Sequence, residues 1–264
     1  MVSEFIPSKC TACREGQALD FDIAMAFQPI FDMRTGIPWA YEALVRGPNG
    51  ESAASILDRV SPENRYTFDQ RCRVAAIEGA VAAGILRSEA KLSINFMPNA
   101  VYTPKACIQL TLRTAAEQDF PPERLMFEMT ENERMSDSAH ICNIIDSYRN
   151  MGFTVALDDF GSGYAGLNLL SEFQTDVIKL DMELIRNIDT RLPRRMIVES
   201  MVALCQRMGI IVIAEGVETE AEYDAVRAIG IDLIQGYLLA KPMFQGLPPL
   251  AWTPPELREL RLAS

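Results

Sequence analysis

The chain has 264 residues, and its 36 acidic against 25 basic side chains give it a formal net charge of −11 at neutral pH. This length suits one large core or two small ones, and the excess of negative charge argues against non-specific binding to DNA or RNA duplexes or to an anionic membrane. No window approaches about 18 uninterrupted apolar residues, and residues 1–16 lack the basic start and apolar centre of a signal peptide, so a cytoplasmic protein without a membrane segment is expected.

No stretch rich in proline, glycine or serine divides the chain, which predicts one domain over residues 21–264 behind an N-terminal extension over residues 1–20. Cys10 and Cys13 in that extension have the C-x-x-C spacing of zinc or redox sites. A structural zinc ion needs four ligands, however, and the only histidine, His140, lies far away in sequence. An extension without a metal is therefore favoured, and a zinc or redox role is the alternative.

Short apolar runs with strand character alternate with longer segments of helical period. The eight predicted strands are Met25 to Ile30, Pro38 to Val45, Lys91 to Asn95, Leu125 to Met129, Thr154 to Asp158, Val177 to Leu180, Ile210 to Ala214 and Leu233 to Gln235. Among the helices, one has an apolar stripe from Ile197 to Met208, and another begins at a capping box of Thr219 with Glu222 and is closed by Gly230. Repeated alternation over about 250 residues favours an α/β fold, a TIM-type (β/α)8 barrel, over an open doubly wound sheet.

The stretch from Thr154 to Leu167 carries a strong chemical signal. An apolar strand ends there in two adjacent carboxylates, Asp158 and Asp159, and the glycine-containing turn 161–163 follows. Neighbouring residues on a strand point to opposite faces, so both carboxylates can face one ion cluster only if the strand is turning out of its sheet, which the glycines behind them would allow. Adjacent carboxylates repel one another, and a divalent cation or a proton is the usual remedy. A metal site is favoured, and a solvated turn with helix-capping aspartates is the alternative.

In a barrel of this type, the reactive residues lie at the carboxyl ends of the strands. The polar residues at or near those ends are Glu42, Asn95, Glu128 with Glu131, Asp158, Asp159, Lys179 with Asp181, Glu215 with Glu218, and Gln235. A single glutamate at a strand end is usually a solvated residue or a helix cap, but the combination is harder to dismiss. Oxygen donors dominate it, without cysteine or histidine, and this set suits Mg²⁺ or Mn²⁺ and disfavours zinc or copper.

The same residues resemble a known family. Glu42-Ala43-Leu44, after Gln28-Pro29-Ile30 and before Arg46, resembles the signature of the EAL-domain cyclic di-GMP phosphodiesterases. The further matches, in order along the chain, are Asn95, the E-x-T-E of Glu128 to Glu131, the D-D-F-G-x-G-Y of Asp158 to Tyr164, the K-x-D of Lys179 and Asp181, the A-E-G-V-E of Ala214 to Glu218, and Gln235-Gly236-Tyr237 followed by Lys241-Pro242. Together these motifs span residues 27–243.

The resemblance implies a TIM-like barrel whose first strand runs antiparallel to the others. The implied ligands of a first metal ion are Glu42, Asn95, Glu128 and Asp158, and those of a second ion are Asp158 as a bridge, Asp159 and Glu215. Lys179 resembles the lysine that hydrogen-bonds the attacking water, and Glu215 is implied to act in catalysis as well.

The resemblance also implies supporting roles around these ligands. Positions that match substrate-contacting or water-orienting residues are Gln28, Arg46, Gln235 and Pro242, and positions expected behind the ligands are Asp181 and Glu218. Glu131 is expected to act in catalysis by holding the loop after Asp159. That loop, formed by Phe160, Gly161, Ser162, Gly163 and Tyr164, would link the metal site to the contact between the subunits of a homodimer.

Elementary chemistry supports these roles. Two Mg²⁺ or Mn²⁺ ions about 3.5–4 Å apart can activate a water molecule and absorb charge on phosphate oxygens, whereas the larger Ca²⁺ is expected to bind and inhibit. Arg46 offers a planar fork for a phosphate or a guanine edge. The favoured hypothesis is a metal-dependent hydrolase that opens cyclic di-GMP to linear pGpG. The alternatives are a receptor that only senses the nucleotide, which could dispense with metal ligands, and a barrel that acts on another phosphoester.

Overall fold

Nine β-strands and nine α-helices occur in the computed structural model, which describes residues 18–130, 138–163, 166–255 and 257–258. The strands are β1 (Ala24–Asp32), β2 (Ile37–Arg46), β3 (Lys91–Asn95), β4 (Leu125–Thr130), β5 (Thr154–Phe160), β6 (Val177–Leu180), β7 (Ile211–Ala214), β8 (Leu233–Ile234) and β9 (Met243–Phe244). The helices are α1 (Ala53–Leu57), α2 (Arg65–Ala83), α3 (Pro104–Cys107), α4 (Gln109–Glu117), α5 (Ser138–Asn150), α6 (Gly166–Glu172), α7 (Met182–Ile185), α8 (Leu192–Met208) and α9 (Glu220–Ile229). Single 3₁₀ turns occur at Ile85–Arg87, Pro98–Ala100 and Pro122–Arg124.

The first eight strands close into a barrel. Strands β2 to β8 are parallel neighbours in chain order, and β1 closes the ring by pairing antiparallel with both β2 and β8. Only residues 33–36 join β1 to β2, and a parallel crossover needs about a dozen residues or more, so this connection must form a hairpin. The barrel and its reversed first strand are therefore confirmed.

The core has an inner and an outer layer. The inner layer, here called the apolar plug, fills the barrel with Ile30, Ala40, Met126, Ala156, Val177, Ile213 and Leu233. The outer layer joins the other faces of the strands to the helices, and Phe127 of β4 belongs to it. Since strand residues alternate between faces, Phe127 points to the helices while its neighbours Met126 and Glu128 point into the barrel. The barrel is therefore a packed core whose apolar filling ends below its carboxyl-terminal rim.

The predicted strands all exist, with ends that differ by at most two residues. The capping box is confirmed, because Thr219 Oγ1 accepts the backbone N–H of Glu222 and the Glu222 carboxylate accepts that of Thr219. The predicted apolar stripe of α8 is wrong at Ile197, which is 49% exposed, since the buried face of this helix is formed by Val198, Val202 and Cys205.

The remaining expectations concern membrane segments, the two N-terminal cysteines and the division into domains. None of the helices described is long and apolar enough to cross a membrane. Cys10 and Cys13 lie outside the described residues. The division into an extension over residues 1–20 and a domain over residues 21–264 stays a prediction.

Candidate active site

A polar layer lies directly above the apolar plug. On six parallel strands, the residue two positions after the plug residue belongs to this layer: Glu42, Glu128, Asp158, Lys179, Glu215 and Gln235. On β1, which runs the other way, the equivalent residue lies two positions before Ile30 and is Gln28, directly opposite Glu42 in the β1–β2 register. The period of two along a strand therefore brings seven polar side chains to the same end of the barrel, directly above the apolar plug.

The ammonium group of Lys179 lies at the centre of this layer, 99% shielded from solvent. Its Nζ atom lies 2.6 Å from Glu215 Oε1, 2.9 Å from Glu128 Oε2, 3.0 Å from Asp158 Oδ1 and 3.4 Å from Glu42 Oε2. Four carboxyl groups thus share one cation. A cation in this position offsets the repulsion among the carboxylates and can donate a hydrogen bond to a group held between them.

Amide side chains donate to both carboxylate oxygens of Glu42. Asn95 Nδ2 donates to Glu42 Oε1 at 3.0 Å, and Gln235 Nε2 donates to Glu42 Oε2 at 2.9 Å. Gln28 Nε2 donates to the Ala240 carbonyl at 3.2 Å. These bonds orient Glu42 and place the predicted ligand Asn95 beside it.

Asp159 shows how two adjacent carboxylates reach one site. Its φ is +53°, in the left-handed region that aspartate tolerates better than most residues, and the β5–β6 register shifts between Leu157 and Phe160. The turn therefore lies in Asp159 itself, and the strand resumes at Phe160, whereas the sequence pointed to the glycines behind the two aspartates. The bulge keeps Asp158 in the barrel and turns Asp159 towards the same cavity.

Burial and mutual repulsion shift the pKa values of the carboxyl groups in this cluster. Burial raises the pKa of Glu128 to about 8, although Lys179 opposes the shift, and burial together with the charge of Asp158 raises the pKa of Asp159 to about 6. Burial likewise raises the pKa of Glu215. Burial also opposes ionisation of Glu42, but Lys179 and the two amide donors outweigh it and lower the pKa of that carboxyl. Such a cluster gives up protons when a divalent cation binds.

The donor set fits two divalent cations. Ligand atoms of Glu42, Glu128 and Asp158 lie within 4.8 Å of one another, and so do those of Asp158, Asp159 and Glu215. Asp158 belongs to both groups. Glu128 Oε1 is buried without a hydrogen-bond partner in the described part of the chain, which a metal ion would relieve. Hard oxygen donors of this kind suit Mg²⁺ or Mn²⁺.

A cavity of about 290 Å³ opens above the carboxylates. Its lining residues are Gln28, Glu42, Asp158, Asp159, Asp181, Met182, Glu215, Gly216, Glu218, Gln235, Gly236 and Tyr237. Two other predicted substrate residues, Arg46 and Pro242, are not among them. Arg46 ends β2, where Nη1 donates to the Val45 carbonyl at 2.7 Å, and Pro242 directly precedes β9.

The residues expected behind the ligands have structural partners. Asp181 caps α7, because its Oδ1 accepts the backbone N–H of Glu183 at 2.7 Å. Glu218 Oε1 lies 2.7 Å from Arg186 Nη2. Both acidic residues also line the cavity.

In the loop predicted after Asp159, Phe160 is buried, and Ser162 donates its backbone N–H to the Asp159 carbonyl at 3.0 Å. Glu131 and Tyr164 lie outside the described residues.

The sequence did not single out four residues of the cavity wall as functional: Met182, Gly216, Gly236 and Tyr237. The glycines are required by close packing. A Cβ atom on Gly216 would lie 2.3 Å from Met182 Cβ, and one on Gly236 would lie 2.0 Å from the Val217 carbonyl oxygen. The sequence did contain a signal for these glycines, since Gly216 directly follows Glu215 and Gly236 directly follows Gln235.

A sequence model of the family described as EAL domain matches residues 15–242. The chain belongs to the EAL domain family. The fold of the chain is also similar to that of solved structures. A standalone versatile EAL protein from Vibrio cholerae O395, in its c-di-GMP bound form, has a TM-score of 0.86 and 50% sequence identity over 91% of this chain and 99% of that one. A manganese and cy-diGMP complex of Klebsiella pneumoniae BlrP1 has a TM-score of 0.82 and 32% identity over 90% of this chain and 60% of that one.

Two of the curated relatives have names that describe different functions. The blue light- and temperature-regulated antirepressor BluF of Escherichia coli K12 is 33% identical over 227 residues, which cover 86% of this chain and 56% of BluF. The cyclic di-GMP phosphodiesterase RocR of Pseudomonas aeruginosa is 38% identical over 127 residues, which cover 48% of this chain and 32% of RocR. The chain thus spans about half the length of BluF and a third of that of RocR.

Proposed function

We propose that this chain is a metal-dependent phosphodiesterase that hydrolyses cyclic di-GMP to linear pGpG. The observation that carries the proposal is the presence of two carboxylate clusters, Glu42–Glu128–Asp158 and Asp158–Asp159–Glu215. The two clusters share Asp158 and lie around the buried Lys179. The c-di-GMP complexes of two similar structures and the name of RocR support this substrate and reaction.

In this proposal the chain holds two divalent ions, Mg²⁺ or Mn²⁺. The first is held by Glu42, Asn95, Glu128 and Asp158, and the second by Asp158, Asp159 and Glu215. When bound, such a pair lowers the pKa of a water molecule and offsets charge on the phosphate oxygens. Lys179 keeps its proton, because the surrounding carboxylates raise its pKa although burial opposes them, so it orients the water and stabilises charge and does not act as a general base. Glu215, in contact with this ammonium, takes part in holding the water.

The substrate side of the proposal uses amides and one guanidinium. Gln28 and Gln235 lie in the polar layer and can donate to phosphate oxygens or to the water. Arg46 and Pro242 lie beyond the cavity, where they would contact the outer part of the nucleotide. Asp181 and Glu218 would hold the loops that carry the ligands, through the α7 cap and the Arg186 ion pair.

A nucleotide receptor without catalysis is the second candidate, and the name of BluF, an antirepressor, favours it. The two candidates differ in what they require of the site. A receptor can function without a complete set of metal ligands or the lysine, and in this chain every proposed ligand position holds an oxygen donor. This completeness favours hydrolysis.

The deciding experiment incubates the purified chain with cyclic di-GMP, cyclic di-AMP or a linear dinucleotide, each with Mg²⁺, Mn²⁺ or Ca²⁺, and separates the products by chromatography with mass detection. Linear pGpG from cyclic di-GMP alone, with Mg²⁺ or Mn²⁺, is expected. Ca²⁺ should bind but inhibit, because its looser coordination organises an in-line attack poorly. The Glu42→Gln variant, which keeps the size of the side chain, is the inactive control. Binding of cyclic di-GMP without turnover under all metals would select the receptor.

We also infer that the chain forms a homodimer next to the loop 160–166. Leu167, directly after this loop, is 60% exposed, so a charge introduced there would reach the proposed subunit contact without disturbing the core. Sedimentation of Leu167→Glu, with Leu86→Glu on the 3₁₀ turn after α2 as the control, tests this interface. A monomeric Leu167→Glu and a dimeric control are expected, and a monomeric wild-type chain would overturn the inference. The clamp role of Glu131 on the loop stays a prediction.

A cytoplasmic location is part of the same proposal. None of the four cysteines in the described residues, Cys72, Cys107, Cys142 and Cys205, forms a disulfide, as is usual in a reducing compartment.

A further inference from the structure

A buried charge network lies on the helix side of β3 and β4, outside the barrel. Arg73 of α2 is fully buried, and its Nη2 atom lies 2.8 Å from Oδ2 of Asp69, which is 3% exposed. Arg73 Nη1 donates to the Tyr148 hydroxyl of α5 at 2.9 Å. Gln70 Nε2 donates to the same carboxylate oxygen of Asp69 at 3.3 Å. Among the residues that the structure describes, no hydrogen bond or ion pair joins this Asp69–Arg73–Tyr148 network to the carboxylates of the site.

The network nevertheless contacts residues that adjoin two proposed ligands, after Asn95 and before Glu128. Asp69 Oδ1 accepts the backbone N–H of Met97 at 2.9 Å, two residues after Asn95. The guanidinium of Arg73 lies 5.6 Å from the ring centre of Phe96 and 5.4 Å from that of Phe127. Phe96 directly follows Asn95, and Phe127 directly precedes Glu128.

The two aromatic residues are themselves fixed in place. The backbone N–H of Phe96 donates to the Glu128 carbonyl at 2.9 Å, so the two strand ends are joined at this level. The Tyr148 ring packs against both phenylalanines, at centroid distances of 5.6 Å and 4.9 Å. Because strand residues alternate, a ring held on the outer face fixes the direction in which its neighbour points into the barrel.

Stability alone does not explain such a network. Burying an ion pair removes both charges from water, and apolar side chains of the same volume often stabilise a fold equally well or better. Arg73 is also incompletely satisfied, because its Nε atom has no hydrogen-bond partner among the residues described. Burial raises the pKa of Asp69, which is the signature of a carboxylate held where solvation is poor.

We propose that Asp69 and Arg73 are positioning residues for the first metal site: Asp69 holds the Met97 amide, Arg73 holds the Phe96 and Phe127 rings, and together they aim Asn95 and Glu128 at the ion. The inference rests on the proposed function, because it presupposes that Asn95 and Glu128 bind a metal ion.

Two double variants isolate the hydrogen-bond acceptor of Asp69 from its charge. Asp69→Asn with Arg73→Met removes both charges but keeps an oxygen that can accept the Met97 N–H. Asp69→Leu with Arg73→Met also removes both charges and leaves that N–H without an acceptor. Ile85→Val, at a fully buried position beyond the end of α2, is the control for a small loss of packing outside the network.

The measurement is calorimetric titration of the metal-free proteins with Mn²⁺, alongside thermal melting of each variant. The Asp69→Asn pair, which loses the Arg73 contacts with the two rings but keeps an acceptor for the Met97 N–H, should bind Mn²⁺ more weakly than wild type. The Asp69→Leu pair, which loses both, should bind more weakly still, about ten-fold below wild type or worse, the size of effect that residues behind metal ligands have. Equal affinity of the two pairs, both below wild type, would overturn the role of Asp69. Ile85→Val should melt earlier and bind Mn²⁺ like wild type.

The other possible results also decide whether Asp69 and Arg73 position the metal ligands. Equal Mn²⁺ affinity of both pairs and wild type would overturn the positioning role and leave the proposed function standing. A wild-type chain that binds no Mn²⁺ would remove the proposed function and this inference together. If the Asp69→Leu pair does not fold, Tyr148→Phe decides: a weakened Mn²⁺ affinity supports the role, and an unchanged affinity in a protein of lower melting temperature overturns it.

Discussion

The Nζ atom of Lys179 lies 2.6 Å from Oε1 of Glu215, across neighbouring strands of the barrel. This contact is possible because Lys179 is level with Ile213 in the β6–β7 register, so that Glu215 projects one pleat higher on the same face. This contact places the ammonium group of Lys179 against Glu215, which belongs to the second cluster of carboxylates, Asp158, Asp159 and Glu215. In the metal-free chain, Lys179 is therefore the counter-charge for both groups at once.

Replacing Lys179 by Met should remove the positive charge that offsets the repulsion among the four carboxyl groups. We expect turnover of cyclic di-GMP to fall by about 10²- to 10³-fold, the usual effect of losing one preorganised donor at a reacting phosphate. The metal-free variant should also melt at a lower temperature than wild type, because four carboxyl groups then lack a cation, and added Mg²⁺ should reduce the difference. Kinetics and melting of Lys179→Met are compared with those of Lys105→Met, an exposed lysine on α3. Turnover close to that of wild type would contradict the role of Lys179.

Replacing Asp159 by Asn should separate charge from backbone conformation. Asparagine tolerates a φ of +53° as well as aspartate does, so the bulge in β5 should persist while the second carboxylate group loses a charge. Turnover should fall by orders of magnitude and cyclic di-GMP should still bind. The matched control is Asp119→Asn, which carries the same change at a φ of +52° on an exposed residue. A variant as active as wild type at saturating Mg²⁺ would exclude the two-metal assignment.

The metal-free protein should lose stability as pH rises from about 4.5 to about 8. The pKa of Glu128 is raised to about 8 and that of Asp159 to about 6, so in this range the folded chain binds more protons than the unfolded chain, and the stability that these protons contribute disappears as the two groups ionise. Melting in the presence of a chelator measures the slope, and Glu128→Gln should flatten it. With Mg²⁺ the trend should weaken or reverse, because the ion binds the ionised carboxylates. A chelated wild-type protein that gains stability over this range would contradict the expectation.

Replacing Gly216 by Ala should damage the site more than the fold. The new Cβ atom would lie 2.3 Å from Met182 Cβ at a φ of +67°, so the loop must move, and Glu215 is the adjacent residue. The matched control is Gly209→Ala at the end of α8, which has a φ of +71° and no atom within 4 Å of the new Cβ. Both variants should lose about 1 kcal/mol of unfolding free energy from the backbone conformation. Only Gly216→Ala should lose most of its turnover and Mg²⁺ affinity, and equal activity of the two variants would contradict the close packing.

The strands and the polar layer could be predicted from the sequence because both follow from local periodicity. Apolar runs of three to eight residues marked the predicted strands, and the period of two that places Met126 in the plug places Glu128 above it. The capping box of α9 is equally local, since Thr219 and Glu222 are three residues apart. The family motifs added the reversal of β1, and its physical cause, the short connection of residues 33–36, follows from the strand bounds in the structure.

Other features depended on contacts between distant segments. Gly216 is required by Met182, which is 34 positions away, and the α8 face at Ile197 is exposed although its neighbours have similar hydrophobicity. The bulge at Asp159 needed the register with β6. No periodic pattern in one segment records how closely another segment will pack against it.

The sequence by itself determined which side chains face the barrel, at what level they lie and which chemistry they can perform, because strand alternation and ligand preference are properties of short stretches and single residues. Only the tertiary structure decided that Lys179 lies within 4 Å of four carboxyl groups from four other strands or strand ends, and that Asp69 and Arg73 stand behind Asn95 and Glu128. Those distances arise when the barrel closes and the helices pack on it. Closure brings together residues as far apart in the sequence as Gln28 and Ala240, 212 positions.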